Sequence, residues 1–395
     1  MNIILFDAPS IRTSLLPLTY TRPVAACRVG IMTIAEKWQR HLSASTSYLT
    51  EDYLSAKFPL NKSEDNYYIN GALCPDEKLL AAIQKLSIGE GIELNGQLLV
   101  ARAEELDITN TEALKLSTFL GEVTLIDQPW KIFKQNAAQI KVDFKLITKG
   151  RTSAAITDLH TIVYGKENIF IEEGASIKAA ILNAEGGPIY IGKNAQVHEG
   201  AIIRGSFALC EGSHVHMGAK IKGDTTIGPF SRAGGEISNS VIFGFSNKGH
   251  DGFIGNTVLG EWCNLGADTN TSNLKNNYDQ VKLWSYEKGG FQNTGEQFCG
   301  LIMGDHSKSG INTMFNTGTV VGVSANIFGA GFPRNFIPSF SWGGTSGLTT
   351  FNMKKSDEVA ARVMERRNLK YDEIEAAILH HVYNNTSSFR IWENQ

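Results

Sequence analysis

Between residues 191 and 233 an aliphatic residue or alanine recurs at every sixth position: Ile191, Val197, Ile203, Leu209, Val215, Ile221, Ile227 and Ala233. Met303, Ser309, Phe315, Val321 and Ile327 keep the same interval. An α-helix cannot present such a set on one face, because six steps of ~100° carry each residue to a new side. A plain strand alternates every second residue and does not select every sixth. A parallel β-helix of hexapeptide repeats fits, with strand and corner forming one unit and three units, roughly 18 residues, closing a coil. Residues one coil apart then stack at ~4.8 Å. Glycine follows several inward residues, as in Ile191-Gly192, Ile227-Gly228, Ile254-Gly255, Leu265-Gly266 and Val321-Gly322, which suits tight corners.

Upstream of about 160 the pattern is different. "NIILF" (2–6) reads as a buried strand, Ile31, Ile34, Trp38 and Leu42 recur at helical spacing, and "NYYINGAL" (66–73) reads as a second strand. A helix through Leu79, Leu80, Ile83 and Leu86 follows the acidic turn of Asp76 and Glu77. "GIELNGQLLVA" (91–101) alternates around Asn95-Gly96 and reads as a hairpin. Strand and helix alternate, so an α/β domain is expected over 1–128. A helix beginning at Pro129 and a linker to 159 connect it to the β-helix of 160–340. Beyond that, Val359, Val363 and Met364, then Tyr371, Ile374, Ile378 and Val382, predict a helical tail over 341–395 that covers the open end of the solenoid.

Composition narrows the function without naming it. The chain has 395 residues, 42% of them hydrophobic, and a formal net charge of −3 with no block of like charge. Nucleic acid and membrane surfaces are therefore disfavoured as partners, and a small molecule is favoured. No signal peptide is read at "MNIILFDAPS", and the five scattered cysteines form no C-x-x-C pair, which together suggest a cytoplasmic protein with buried thiols.

Two places attract chemical attention. His250, in "SNKGHDGFIG" (246–255), lies where the six-residue register is disturbed, and a histidine there accepts a proton near neutral pH without assistance. The longest polar stretch, 274–300, is read as an insertion at a corner, functional because Trp284, Tyr286 and Phe291 are unusual in pure spacer. His198 and His216, 18 residues apart, should stack on one outer face near His214. A metal site there is the lesser alternative to a subunit contact, and no metal ligand is assigned.

"SNKGHDGFIG", "NLGADTNTSN" (264–273) and "GDHSKSGINT" (304–313) together resemble the acetyltransferase half of the bifunctional glucosamine-1-phosphate acetyltransferase/N-acetylglucosamine-1-phosphate uridyltransferase family over about 160–335. The family pattern S-x-x-G-H-x-x-x-x-G is met by Ser246, Gly249, His250 and Gly255. The resemblance implies a left-handed β-helix, a homotrimer with sites between chains, and acetyl-CoA as co-substrate. It makes His250 the base that deprotonates a sugar amine, Glu236 the residue that orients it, and Asn273 a further catalytic-site residue. It also places Ala267, Gly310, Ile311 and Gly329 along the CoA groove. Arg232 and Lys248 are candidate cations for a sugar phosphate, while Phe253 or Gly252 stands where the family has tyrosine and Ser238 where it has a lysine.

"LLPLTYTRP" (15–23) is similar to the segment after the phosphate-binding loop of sugar-phosphate nucleotidyltransferases. Their glycine-rich loop reads "DAPSIR" here, keeping Arg12 but not the glycines, with Val24 and Ala72 in place of an expected lysine and a Mg²⁺-holding aspartate. Asp7, Arg12 and Arg22 are the nucleotide-site candidates, Asp76 remains nearby, and Mg²⁺ is the metal such a domain would take. The expected function is acetyl transfer from acetyl-CoA to an amino-sugar phosphate in nucleotide-sugar synthesis. The alternatives are a UTP- or dTTP-dependent sugar-1-phosphate nucleotidyltransferase and a non-catalytic nucleotide-sugar-binding trimer.

Overall fold

The computed structural model describes residues 1–394, which divide into two compact units. The first comprises Met1–Leu15, Thr21–Cys27 and Met32–Gln128. Its sheet runs in the order Thr46–Leu49, Asn2–Phe6, Asn66–Asn70, Gln97–Ala103, Glu90–Leu94 and Lys115–Thr118. The first three strands are parallel, and Gln97–Ala103 is antiparallel to both of its neighbours. Asn95 and Gly96 turn the expected hairpin with positive φ at both positions, which tightens the connection to two residues. The helix Ile34–Leu42 starts at a capping box formed by Thr33 and Glu36, and Glu77–Ile83 starts at the Asp76 cap. This is an α/β domain, as the alternation of strand and helix predicts.

The second unit holds Leu16–Tyr20, Arg28–Ile31 and Pro129–Gln395. Its solenoid has three faces: nine strands from Ile169–Ile171 to Phe336–Ile337, ten from Ser176–Ile177 to Gly347–Thr350, and six from Ile162–Tyr164 to Phe253–Gly255. Asn270–Thr271 and Met314–Phe315 form a further parallel pair. The six-residue files are its core. Ile191, Leu209 and Ile227 stand in register, and all eight residues of the first run are at most 1% exposed.

The glycines after inward residues have a cause other than turn conformation. A Cβ on Gly228 would lie 1.9 Å from the Phe243 carbonyl oxygen of the next coil, so bare backbone is needed for the coils to stack.

The helix Pro129–Thr148 packs within this second unit. Asn136 joins Gly30 N–H, Thr226 Oγ1 and the Asp224 carbonyl. The insertion is folded: Lys282–Ser285 and Gly290–Asn293 form an antiparallel hairpin, and Trp284 stacks on Phe336 with ring centroids 4.1 Å apart. The last edge of the ten-stranded face is paired by Gly347–Thr350, antiparallel to Ser341–Gly344. The tail helices Met353–Glu365 and Glu373–Asn385 instead bury Ala360, Leu379 and Val382 against Val323 and Phe340. The hairpin thus pairs that edge, and the end of the tail closes on it, Trp392 Nε1 donating to Thr350 Oγ1 at 2.9 Å. No helix of the described residues is long and apolar enough to cross a membrane.

A bulged corner as candidate active site

The disturbed register has a simple geometric origin. Five residues separate the inward Val215 and Ile221, but only three separate Ala233 and Ile237 in the next coil. The coil after that restores five between Lys248 and Ile254, while Ile237 and Ile254 still pair. The longer corner, Gly249–Phe253, must therefore bulge over the shorter one. Stacking is so close that a Cβ on Gly234 would lie 2.2 Å from the Gly249 carbonyl oxygen.

His250 and Asp251 are exposed on this bulge. With His198, His216, Met217, Gly235 and Gly249 they line a cavity of about 390 Å³. His216 Nδ1 lies 2.9 Å from the Gly249 carbonyl oxygen, and burial pushes the His216 imidazole below its ordinary pKa. The His198 ring lies 5.5 Å from His214 and 5.9 Å from His216, centroid to centroid. His214 is pushed down to about 4, by burial first and then by the Arg232 guanidinium and the other histidines. Among the described residues, no group of three or more His, Cys, Asp or Glu side chains converges to hold a metal ion.

Lys248 is not a surface cation for substrate. It occupies an inward position, in register with Ala233, and is 0% exposed. Its Nζ donates to the carbonyls of Gly234 (3.3 Å), His250 (2.5 Å) and Asp251 (3.0 Å). The signal available in the sequence was its place in the file Ile242, Lys248, Ile254, where every neighbour is aliphatic.

The remaining candidates fall into two groups. Asn247 pairs with Asn264, Asn264 with Lys308, and Lys308 with Asn326, so Lys248, Leu265, Ser309 and Ile327 stand one coil apart. His250, Ala267, Ile311 and Gly329 each follow these by two residues and form one file along the same corner. Gly310 sits beside that file, its N–H donating to the Ile327 carbonyl, and Ile311 is 70% exposed.

Glu236 and Asn273 lie elsewhere. The Glu236 carboxylate is 2.6 Å from Lys222 Nζ, and it makes no hydrogen bond to His250. Asn273 donates to Asn256 Oδ1 at 2.8 Å and lines a separate cavity of about 690 Å³ with Ser238, Asn239 and insertion residues Gly295–Phe298. Phe253 is half-buried, paired with Glu236, and its N–H is held by Asn270 Oδ1 at 2.8 Å. Arg232 projects from the ten-stranded face between His214 and Asn247, donating to the carbonyls of Gly212 and Ser231, both at 3.1 Å. Arg367 of the tail reaches Asn247 Oδ1 at 3.3 Å, and partial burial lowers the pKa of both arginines.

In the first unit the nucleotide-site candidates are closed on one another. Arg12 Nη1 is 2.9 Å from Asp7 Oδ2, and both side chains are buried. Asp7 Oδ2 also accepts from Thr50 at 2.6 Å, and Oδ1 accepts from Val24 N–H at 2.8 Å. Burial pushes the Asp7 carboxyl up against the opposing pull of Arg12. Arg12 further donates to the Arg22 carbonyl and to Tyr53, and Arg22 itself is buried. Asp76 is spent as a helix cap. Both Asp7 oxygens are thus engaged within the protein.

Comparison with known proteins accords with this architecture. Residues 3–152 match the family model for sugar nucleotidyl transferase. The bifunctional sugar-1-phosphate nucleotidylyltransferase/acetyltransferase of Sulfurisphaera tokodaii is 27% identical over 62% of this chain and 53% of its own length. The bifunctional protein GlmU of Methanocaldococcus jannaschii is 33% identical over 22% of this chain and 21% of its own, and that of Methanococcus maripaludis is 34% identical over 24% and 22%. The chain spans about half the length of the first of these relatives and less of the others. In residues 3–152 the chain is thus similar to the sugar nucleotidyl transferases, and over 62% of its length to a bifunctional nucleotidylyltransferase/acetyltransferase.

Proposed function

We propose that the solenoid transfers an acetyl group from acetyl-CoA to the amine of an amino-sugar phosphate, as a step in nucleotide-sugar synthesis. The observation that carries this reading is the file of His250, Ala267, Ile311 and Gly329 on one corner, an edge three coil steps or ~14 Å long. A thin pantetheine arm laid along it would bring its thioester to the exposed imidazole at one end. The amine nitrogen attacks the thioester carbonyl, the C–N bond forms, the C–S bond breaks, and His250 takes the amine proton while the thiolate leaves.

Glu236, by leaving Lys222, and Asn273 would act as positioning groups, and Arg232 would meet the phosphate. A homotrimer, which the resemblance implies, would place parts of neighbouring chains around each site; sedimentation at working concentration measures it. His250→Ala should lower kcat by ~10²- to 10⁴-fold in a thiol-release assay with acetyl-CoA and a panel of amino-sugar phosphates. Activity within about threefold of the parent would sink the assignment, since a general base typically contributes more.

The sugar nucleotidyl transferase match favours a second activity for the first unit, nucleotidyl transfer from UTP or dTTP to a sugar 1-phosphate. Pyrophosphate release with either nucleotide tests it. The alternative, nucleotide-sugar binding without turnover, shows as a calorimetric titration with no product from either reaction.

A further inference from the structure

Lys248 is the anomaly of the solenoid interior, a lysine in a file of aliphatic residues with its ammonium turned towards backbone. Burying a cation costs several kcal/mol unless it is well hydrogen-bonded, so the position calls for a specific return. No carboxylate supplies it, because Nζ is held only by the carbonyls of Gly234, His250 and Asp251. Two of these belong to the bulge and one to the short corner beneath it. A bulge of five residues over a corner of three leaves carbonyls pointing inward that the coil's own N–H groups do not reach.

The other bonds to this corner come from outside the core. His216 Nδ1 meets the Gly249 carbonyl, Glu236 N–H donates to the Gly252 carbonyl at 3.1 Å, and Asp268 N–H to the Asp251 carbonyl at 3.1 Å.

We propose that Lys248 is a positioning residue, an internal strut that ties the His250 and Asp251 carbonyls to the preceding coil and so fixes the direction in which the His250 imidazole faces its cavity. This rests on His250 being the base. Leu265, which holds the equivalent inward position one coil later, precedes a corner without such a bulge and needs no amine.

The strut also gives the corner an alkaline limit. Burial lowers the Lys248 pKa to about 8, opposed by the carboxylates of Asp251 and Asp268, while His216 and His250 are the other titratable groups around it. A neutral amine has two N–H donors for three carbonyls, so one tie is released above that pH.

Three measurements on the full chain test this. Lys248→Met keeps the core filled and removes the donor; a folded variant should show kcat lowered ~10- to 100-fold with KM for acetyl-CoA unchanged, as expected for a misplaced group. Amide exchange of Glu236, bonded to the Gly252 carbonyl, and of Phe253, which ends the corner and is held by Asn270 Oδ1, should accelerate in that variant. In the parent their protection should fall through pH 8 while that of His216, at an unbulged corner, stays flat, and this arm holds even if the variant fails to fold. Parental kcat in Lys248→Met, or protection of Glu236 and Phe253 as flat as that of His216, overturns the proposal. His250→Ala separates the two ideas: if it abolishes turnover and Lys248→Met does not, the base stands and the strut falls. If His250→Ala is active the base falls, and exchange alone judges the strut.

Discussion

Arg12 and Lys248 are both buried cations, and their surroundings could hardly be more different. Arg12 faces the Asp7 carboxylate in a tight ion pair. Lys248 donates only to neutral carbonyls. An ion pair in the core neutralises both partners, and here it engages two of the residues that resemble nucleotide-site residues with each other. A cation held by carbonyls neutralises nothing and instead fixes the course of the backbone. One arrangement closes a candidate site, and the other shapes an open one.

Breaking the first arrangement should produce the larger stability effect. Arg12→Ala leaves Asp7 buried without its cation and is expected to destabilise the first unit by ~3–5 kcal/mol. The urea midpoint of that unit's transition reads this, with acetyl transfer by the folded protein unchanged. An unshifted midpoint would mean that the pair contributes nothing net. Next in size is Gly234→Ala, whose Cβ would press on the Gly249 carbonyl from beneath the bulge. Backbone cannot yield as a flexible side chain would, so a cost of about 1–3 kcal/mol is expected, together with a loss of activity. Since Gly234 does not contact the cavity, parental kcat in this variant would show that the bulge tolerates displacement.

How much of this could be read in the sequence follows from the reach of each interaction. The inward files were legible because every sixth residue answers to one constraint, burial, and both expected runs are buried in the structure. The Asn95-Gly96 hairpin and the Asp76 turn were legible because their signals are local. Thr46–Leu49 was not, since "TSYL" carries only a weak alternation and is a strand by virtue of pairing with Asn2–Phe6. The corner candidates aligned because register follows from counting residues. The inward direction of Lys248 was legible from its place in the six-residue file of Ile242 and Ile254, but its partners were not, because they depend on a two-residue mismatch between neighbouring coils, and the closure of Arg12 on Asp7 was missed because composition does not tell where a guanidinium turns.

The smallest effect concerns cations that face one another. His214 has Arg232 in the next coil, and Arg367 stands beyond at Asn247. Its imidazole is pushed down to about 4, so the folded protein resists protonating it where the unfolded chain, at an ordinary pKa near 6.5, does not. Between those two values the unfolded state binds more protons, and stability therefore falls as pH drops through the window and is restored above it. His216 is displaced in the same direction and adds to the slope. His214→Gln removes the larger of these contributions while leaving the carboxylates, which also titrate there, as they were. Thermal melts from pH 7 to 4.5 should show the variant losing about 2 °C less than the parent, a modest figure because the ring is only partly buried. Parallel curves would mean that His214 is free to charge and that the two arginines do not oppose it. The row would then differ from the Asp7–Arg12 pair only in composition, and not in the electrostatic strain that an anionic ligand would relieve.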